Sequence, residues 1–206
     1  MEYIAVTYGE SVLGENLIFE NGDYHKYRHI NFTIYLIKDD RRLILVDAGC
    51  ETMPGFEMRN FIGSIEGLKR AGYFPEDITD VVITHSHHDH IECVKYFKNA
   101  VIHIQKEEYE CGKNYIPEYS KINLFDEKYQ INKDIKIVKI GGHSIGSCIV
   151  EFMMSGKEYV IAGDECYVRE CIDKKLITGA SCNKERSREF VQKYSNDKYT
   201  VLLCHN

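Results

Sequence analysis

DITDVVITHSHHDH, residues 77–90, is a short β-branched run that breaks off into histidines. Val81, Val82 and Ile83 predict a strand, and the histidine cluster is expected at its C-terminal end, with a helix beginning near Ile91. Four of the nine histidines fall within the six residues 85–90, which random placement at this composition would produce about once in a hundred chains. A lone histidine is usually a surface or satisfied core residue. Several imidazoles and a carboxylate within one turn can instead reach a common centre, and that donor mixture suits zinc, iron, manganese or cobalt.

Working outward, the N-terminal third alternates apolar and polar residues and predicts a β-meander: strands over 2–8, 11–19, 31–38 and 41–47, with a tight turn at Asp39 and Asp40. Met58, Phe61, Ile62, Ile65 and Leu68 recur at helical spacing, and Gly72 is placed to end that helix. Downstream, strands are expected at 101–104, 135–140, 148–154, 158–163 and 199–205, with a helix at 184–195. Residues 106–134 read as an irregular segment that could overhang a site. No repeat, low-complexity tract or linker divides the chain, so residues 1–206 are expected to form a single domain.

The formal net charge is −6, and the densest basic cluster, Lys184, Arg186 and Arg188, is diluted by Glu185 and Glu189. Nucleic-acid binding is therefore not expected. Charged residues interrupt every apolar run well short of the roughly 18 needed to span a bilayer. The N-terminus lacks the pattern of an export leader, so a soluble, cytoplasmic protein is expected. Eight cysteines are scattered without a Cys-x-x-Cys pair, which for that compartment predicts reduced thiols rather than a disulfide framework.

HSHHDH fits the pattern His-x-His-x-Asp-His, and on it the chain resembles the metallo-β-lactamase superfamily. The remaining landmarks of that family follow in order: Asp47 in LVDAG, His143 in GGHSIGS, Asp164 in AGDE and His205 in LLCHN. The resemblance implies an α/β fold, the four-layer αβ/βα sandwich, and a centre of two divalent metal ions. Zinc is the first choice, with iron or manganese as alternatives. His85, His87 and His143 would bind one ion, Asp89, His90 and His205 the other, and Asp164 would bridge them together with a hydroxide that acts as the nucleophile. Asp47 is expected to orient a ligand histidine or the motif loop, because metal-bound imidazoles usually have such a partner. His88 alternates away from the ligands and is left out.

Tyr167 follows Asp164 by three residues, where N-acyl homoserine lactonases of this superfamily carry a tyrosine that contacts the substrate carbonyl or leaving oxygen. As one of 15 tyrosines in 206 residues, it reads equally well as a packing aromatic. The resemblance implies a small-molecule acyl substrate, with a lactone or carboxylic ester favoured. The alternatives are a hydroxyacylglutathione-type thioester hydrolase, a mononuclear iron persulfide dioxygenase and a non-catalytic metal-binding module. β-Lactam hydrolysis is not expected, since Cys166 falls two residues beyond the position that cysteine would need. RNA cleavage would call for a basic domain, and the diiron flavoprotein branch carries Glu where this chain has His87. Homo-oligomerisation is left open. Asn206 stands where related hydrolases often have Asp, and His205 on a terminal strand is expected to fray, which would make the second metal site the weaker one.

Overall fold

A computed structural model describes residues 1–206. In chain order it contains β1 (Glu2–Gly14), α1 (Glu15–Ile18), β2 (Tyr27–Asp39), β3 (Arg42–Val46), α2 (Ser64–Arg70), β4 (Asp80–Ile83), α3 (His88–Ile91), β5 (Val101–Gln105), α4 (Lys106–Gly112) and β6 (Lys121–Phe125). It continues with β7 (Lys128–Gln130), β8 (Ile135–Lys139), β9 (Cys148–Met154), β10 (Lys157–Ile161), α5 (Arg169–Asp173), α6 (Lys184–Tyr194) and β11 (Tyr199–Leu202). The chain packs as two compact units, Met1–Glu10 with Phe32–Asp126 and Ser11–Asn31 with Glu127–Asn206.

The first unit is built on a six-stranded sheet in the order β1-β2-β3-β4-β5-β6, to which it contributes residues 2–10 of β1 and 32–39 of β2. β2 and β3 are antiparallel, joined by the expected turn, where Asp40 takes a positive φ of 50°. β3, β4, β5 and β6 run parallel. Parallel strands are covered on both faces and so lose their alternation. Residues 80–83 of β4 are all buried accordingly. Parallel pairing also requires crossovers, and α2, α3 and α4 lie in the three connections. The C-terminal ends of β3, β4 and β5 therefore share one edge of the sheet, the edge where α/β folds place functional side chains.

In the second unit the sheet order is β11-β10-β9-β8-β7, antiparallel except for the β10–β11 pair. Ser155 and Gly156 both have positive φ, as a tight hairpin turn between β9 and β10 requires. α6 makes the crossover that allows β11 to lie parallel to β10. Asn183 caps it by accepting from the Arg186 amide at 3.2 Å. Its buried residues, Ser187, Phe190, Val191 and Tyr194, follow helical spacing.

Three expectations are corrected. The strands expected at 2–8 and 11–19 are one strand ending at Gly14, with Glu15–Ile18 helical, because Gly9 does not turn the chain. It leaves room for the Phe61 ring, which would lie 2.6 Å from a Cβ at that position. The helix expected to include Met58, Phe61 and Ile62 begins only at Ser64, after Gly63 at a φ of 78°. The loop before it pairs with β1 through Arg59 and Glu10 and places Phe61 against Tyr8 at a ring separation of 6.1 Å. Residues 106–134 are not irregular and contain α4, β6 and β7. The helix escapes notice because its cap is Gln105 and its buried face consists of Glu108 and Gly112, with no apolar stripe.

All eight cysteines are free thiols, six of them buried. No helix is long and apolar enough to cross a membrane. Leu36, fully buried in β2, is expected to cost about 2–5 kcal/mol when replaced by alanine. Tyr24→Ala, at 78% exposure, should change stability by no more than about 0.5 kcal/mol. Urea denaturation of both variants checks the assignment of the core, which equal losses would contradict.

Candidate metal centre

In the first unit, HSHHDH carries the chain from the end of β4 into α3. His85 is fully buried, and its Nε2 lies 3.0 Å from Nδ1 of His87. The His85 ring also sits 4.0 Å from that of His90, centroid to centroid. His90 Nε2 is 3.5 Å from the Asp89 carboxylate. Three imidazoles and a carboxylate thus converge at the end of one strand. His88 is turned elsewhere, toward the Thr52 carbonyl at 2.8 Å and the Tyr115 hydroxyl at 3.2 Å.

Asp47 lies just past β3, with a φ of 64°. It accepts the Thr84 amide at 2.8 Å, the Thr84 hydroxyl at 2.9 Å and His90 Nδ1 at 2.8 Å. A carboxylate can only accept, so Nδ1 of His90 carries the proton and Nε2 is the donor atom available to a metal. The Thr84 hydroxyl spends its single proton on Asp47 and accepts from His85 Nδ1 at 3.2 Å, which leaves Nε2 of His85 as a donor atom too. Asp89 is anchored through its backbone carbonyl, which accepts from the buried Tyr8 hydroxyl at 3.0 Å. Burial pushes the Tyr8 phenol well above its usual pKa, so it stays a proton donor.

In the second unit, His143 follows β8, Asp164 lies in a 3₁₀ turn after β10, and all three of His143, Asp164 and His205 are buried. The Asp164 carboxylate faces two imidazoles at once, with Oδ2 3.6 Å from His143 Nε2 and Oδ1 3.1 Å from His205 Nε2. One oxygen thus faces each ring. His205 is not on a strand, since β11 ends at Leu202. It is 3% exposed, its Nδ1 donates to the Asn31 carbonyl at 2.9 Å, and Asn206 is held by the Asn31 side chain and the Arg169 amide. Tyr167 stacks on His205, with centroids 5.3 Å apart, and meets His143 edge-on at 6.0 Å.

Two buried carboxylates were not singled out from the sequence. Glu108 on α4 accepts the Ser86 amide at 2.8 Å and the Ser86 hydroxyl at 2.7 Å, pinning the middle of the histidine motif. Gly112 allows that approach, because a Cβ there would meet Ser86 and Ile91 at 2.8 Å. Glu165 is fully buried behind the His143 loop, and burial pushes its carboxyl up to about 7. Neither had a distinguishing signal: Glu108 sits in KEEYE, which looks like a solvated helix, and Glu165 is masked by its neighbour Asp164.

The model of the metallo-β-lactamase superfamily matches residues 33–205. The chain belongs to the metallo-β-lactamase superfamily. Among its relatives, an N-acyl homoserine lactonase of Bacillus cereus is 30% identical over 171 residues, covering 69% of this chain and 66% of the relative. A probable metallo-hydrolase of Methanocaldococcus jannaschii is 29% identical over 149 residues, covering 72% and 66%. In both cases the matched region is 66% of the curated relative's own length. A solved N-acyl homoserine lactone hydrolase with N-hexanoyl-L-homoserine at its catalytic metal centre has a TM-score of 0.84 at 18% identity, covering 98% of this chain and 92% of that one. The two mixed sheets with their helices are thus the metallo-β-lactamase fold, as the motif led one to expect.

The donors of each unit fit this family's metal chemistry: imidazole nitrogens whose proton is fixed by a partner on the far side of the ring, and carboxylates in contact with them. Asp47→Asn tests the arrangement. An amide cannot accept from both Thr84 and His90, so either the motif loop loses its anchor or His90 changes tautomer. Metal affinity is expected to fall about 10- to 100-fold, with the chain still folded. Imidazole nitrogen NMR together with zinc titration reads both effects, and unchanged affinity would remove Asp47 from the site.

Proposed function

We propose that the chain is a metal-dependent hydrolase in which residues 1–206 form one domain and the two donor sets supply a single dinuclear centre. His85, His87 and His143 would hold one divalent ion, Asp89, His90 and His205 the other, and Asp164 would bridge them. The observation that carries this reading is the Asp164 carboxylate, with one oxygen toward His143, the other toward His205, and Tyr167 packed on both rings. Zinc is the preferred ion, and iron and manganese suit the same donors. When bound, the ions would supply Lewis acidity, making water a nucleophile near neutral pH and polarising the acyl carbonyl.

The substrate class we favour is a lactone or simple carboxylic ester, supported by the similarity to the Bacillus cereus lactonase and by Tyr167. Hydrolysis adds water across the acyl C–O bond: a new C–O bond forms, the ester bond breaks, and the leaving oxygen takes up a proton. The Tyr167 phenol is the group we assign to donate a hydrogen bond to that developing charge. Asp89 and Asp164 keep the centre's donor set anionic. The eight free thiols fit a reducing compartment, and we place the protein in the cytoplasm.

Elemental analysis of chain purified without chelator is expected to find close to two metal ions. A value of one that persists in added zinc, manganese or iron would sink the dinuclear reading. Asp164→Ala should lose metal and turnover together, whereas Tyr167→Phe should keep its metal and lose turnover about 100-fold. A panel of short- and long-chain acyl homoserine lactones, simple lactones, aryl esters and S-lactoylglutathione decides the substrate class. Turnover of the thioester alone would replace the lactone assignment.

A further inference from the structure

Asp164 and Glu165 are consecutive buried carboxylates in the turn Gly163–Glu165, yet they face different surroundings. Asp164 addresses the two imidazoles. Glu165 reaches behind the loop that carries His143, where its Oε1 accepts three hydrogen bonds: from the Gly142 amide at 3.1 Å, the His143 amide at 3.2 Å and the Ser147 hydroxyl at 2.5 Å. This approach depends on Gly142. A Cβ there would stand 2.3 Å from Glu165 Oε2 and 2.5 Å from the Ser187 hydroxyl, so any side chain would push the carboxylate off the amides. From the other direction the Gly142 carbonyl accepts the amides of Cys182 and Asn183, each at 2.9 Å, and the Ser181 hydroxyl at 3.0 Å. The segment just before His143 is therefore gripped on both sides.

We infer that Glu165 is a positioning residue: it fixes the His143 loop to the same turn that presents Asp164, and so sets the spacing between a terminal metal ligand and the bridging one. The inference rests on the dinuclear reading for its consequence, but not for the tie itself. Two donors on consecutive amides and a third on Ser147 define the orientation of the loop backbone, and the His143 side chain follows from it. Fixing a ligand by bonds to its support, rather than by contacts to the imidazole alone, is how metal sites gain affinity without adding ligands. Glutamine keeps an acceptor oxygen at the same reach, while leucine keeps the volume and leaves the Gly142 and His143 amides without it, the Ser147 hydroxyl retaining the Ser144 carbonyl at 3.0 Å.

The test compares Glu165→Gln and Glu165→Leu in the full chain by two readouts, amide hydrogen exchange and zinc titration. In Glu165→Leu the Gly142 and His143 amides are expected to exchange at least about 100-fold faster than in wild type. One of the two zinc equivalents should then be lost at a concentration that saturates wild type. Glu165→Gln should stay within about tenfold in exchange and hold both equivalents. A folded Glu165→Leu with wild-type exchange at these amides, or with wild-type zinc affinity, overturns the inference. Should that variant fail to fold, Glu165→Asp, one methylene shorter in reach toward the two amides, decides. Faster exchange at both amides with one weakened zinc equivalent supports the tie, and wild-type values for both overturn it. A wild-type chain that takes up fewer than two zinc ions, while Glu165→Leu still loosens the loop, supports the tie and defeats the dinuclear reading instead.

Discussion

The carboxylate of Asp47 ties the end of β4 to the start of α3, alongside the backbone bonds from the Asp47 N–H to the Val82 carbonyl and from the Ala48 N–H to the His90 carbonyl, each 2.8 Å. It bonds the Thr84 amide and hydroxyl where β4 ends, and the His90 ring six residues further on, in α3. That places the motif loop at both of its ends. The geometry follows from β3 and β4 being parallel neighbours, so that the residue leaving one strand lies beside the residue leaving the next. Asp47 adopts a left-handed backbone conformation to make the contact, which costs about 1 kcal/mol for most side chains and less for Asp. Three hydrogen bonds to a buried carboxylate offset that cost, since charge-assisted bonds are worth roughly 1.5–3 kcal/mol each.

The same device recurs. Asp47, Glu108 and Glu165 are buried carboxylates that receive backbone amides and hydroxyls. Amides are fixed dipoles and stay where the fold puts them, while a lysine would bring a mobile positive charge close to the donor set. Support of this kind also explains where glycine is indispensable: Gly112 and Gly142 are the points at which a Cβ would collide with the motif loop or with the supporting carboxylate.

The convergence of His85, His87, Asp89 and His90 was legible from residues because metal chemistry restricts both the type and the spacing of its donors, and because a β-branched run ending in HSHHDH names the strand that delivers them. Asp47 was legible for a related reason: it follows LILV at the end of a strand. Glu108 and Glu165 were not, since a charged residue in a polar stretch reads the same whether it faces water or a backbone amide, and only the fold distinguishes the two. Gly9 misled in the opposite direction. Glycine in a strand usually marks a break, but here it makes room for Phe61. His205 looked exposed to fraying because sequence position does not reveal that Asn31 and Arg169 hold its neighbourhood.

Among the motif histidines, His85 and His90 are buried while His87 is exposed. The donor set of the first unit consequently has one side chain that can swing into solvent without disturbing the core, whereas the others are locked by Thr84 and Asp47. An ion leaving this set would be released first by His87, through a rotamer change on the picosecond-to-nanosecond scale of exposed side chains rather than through local unfolding.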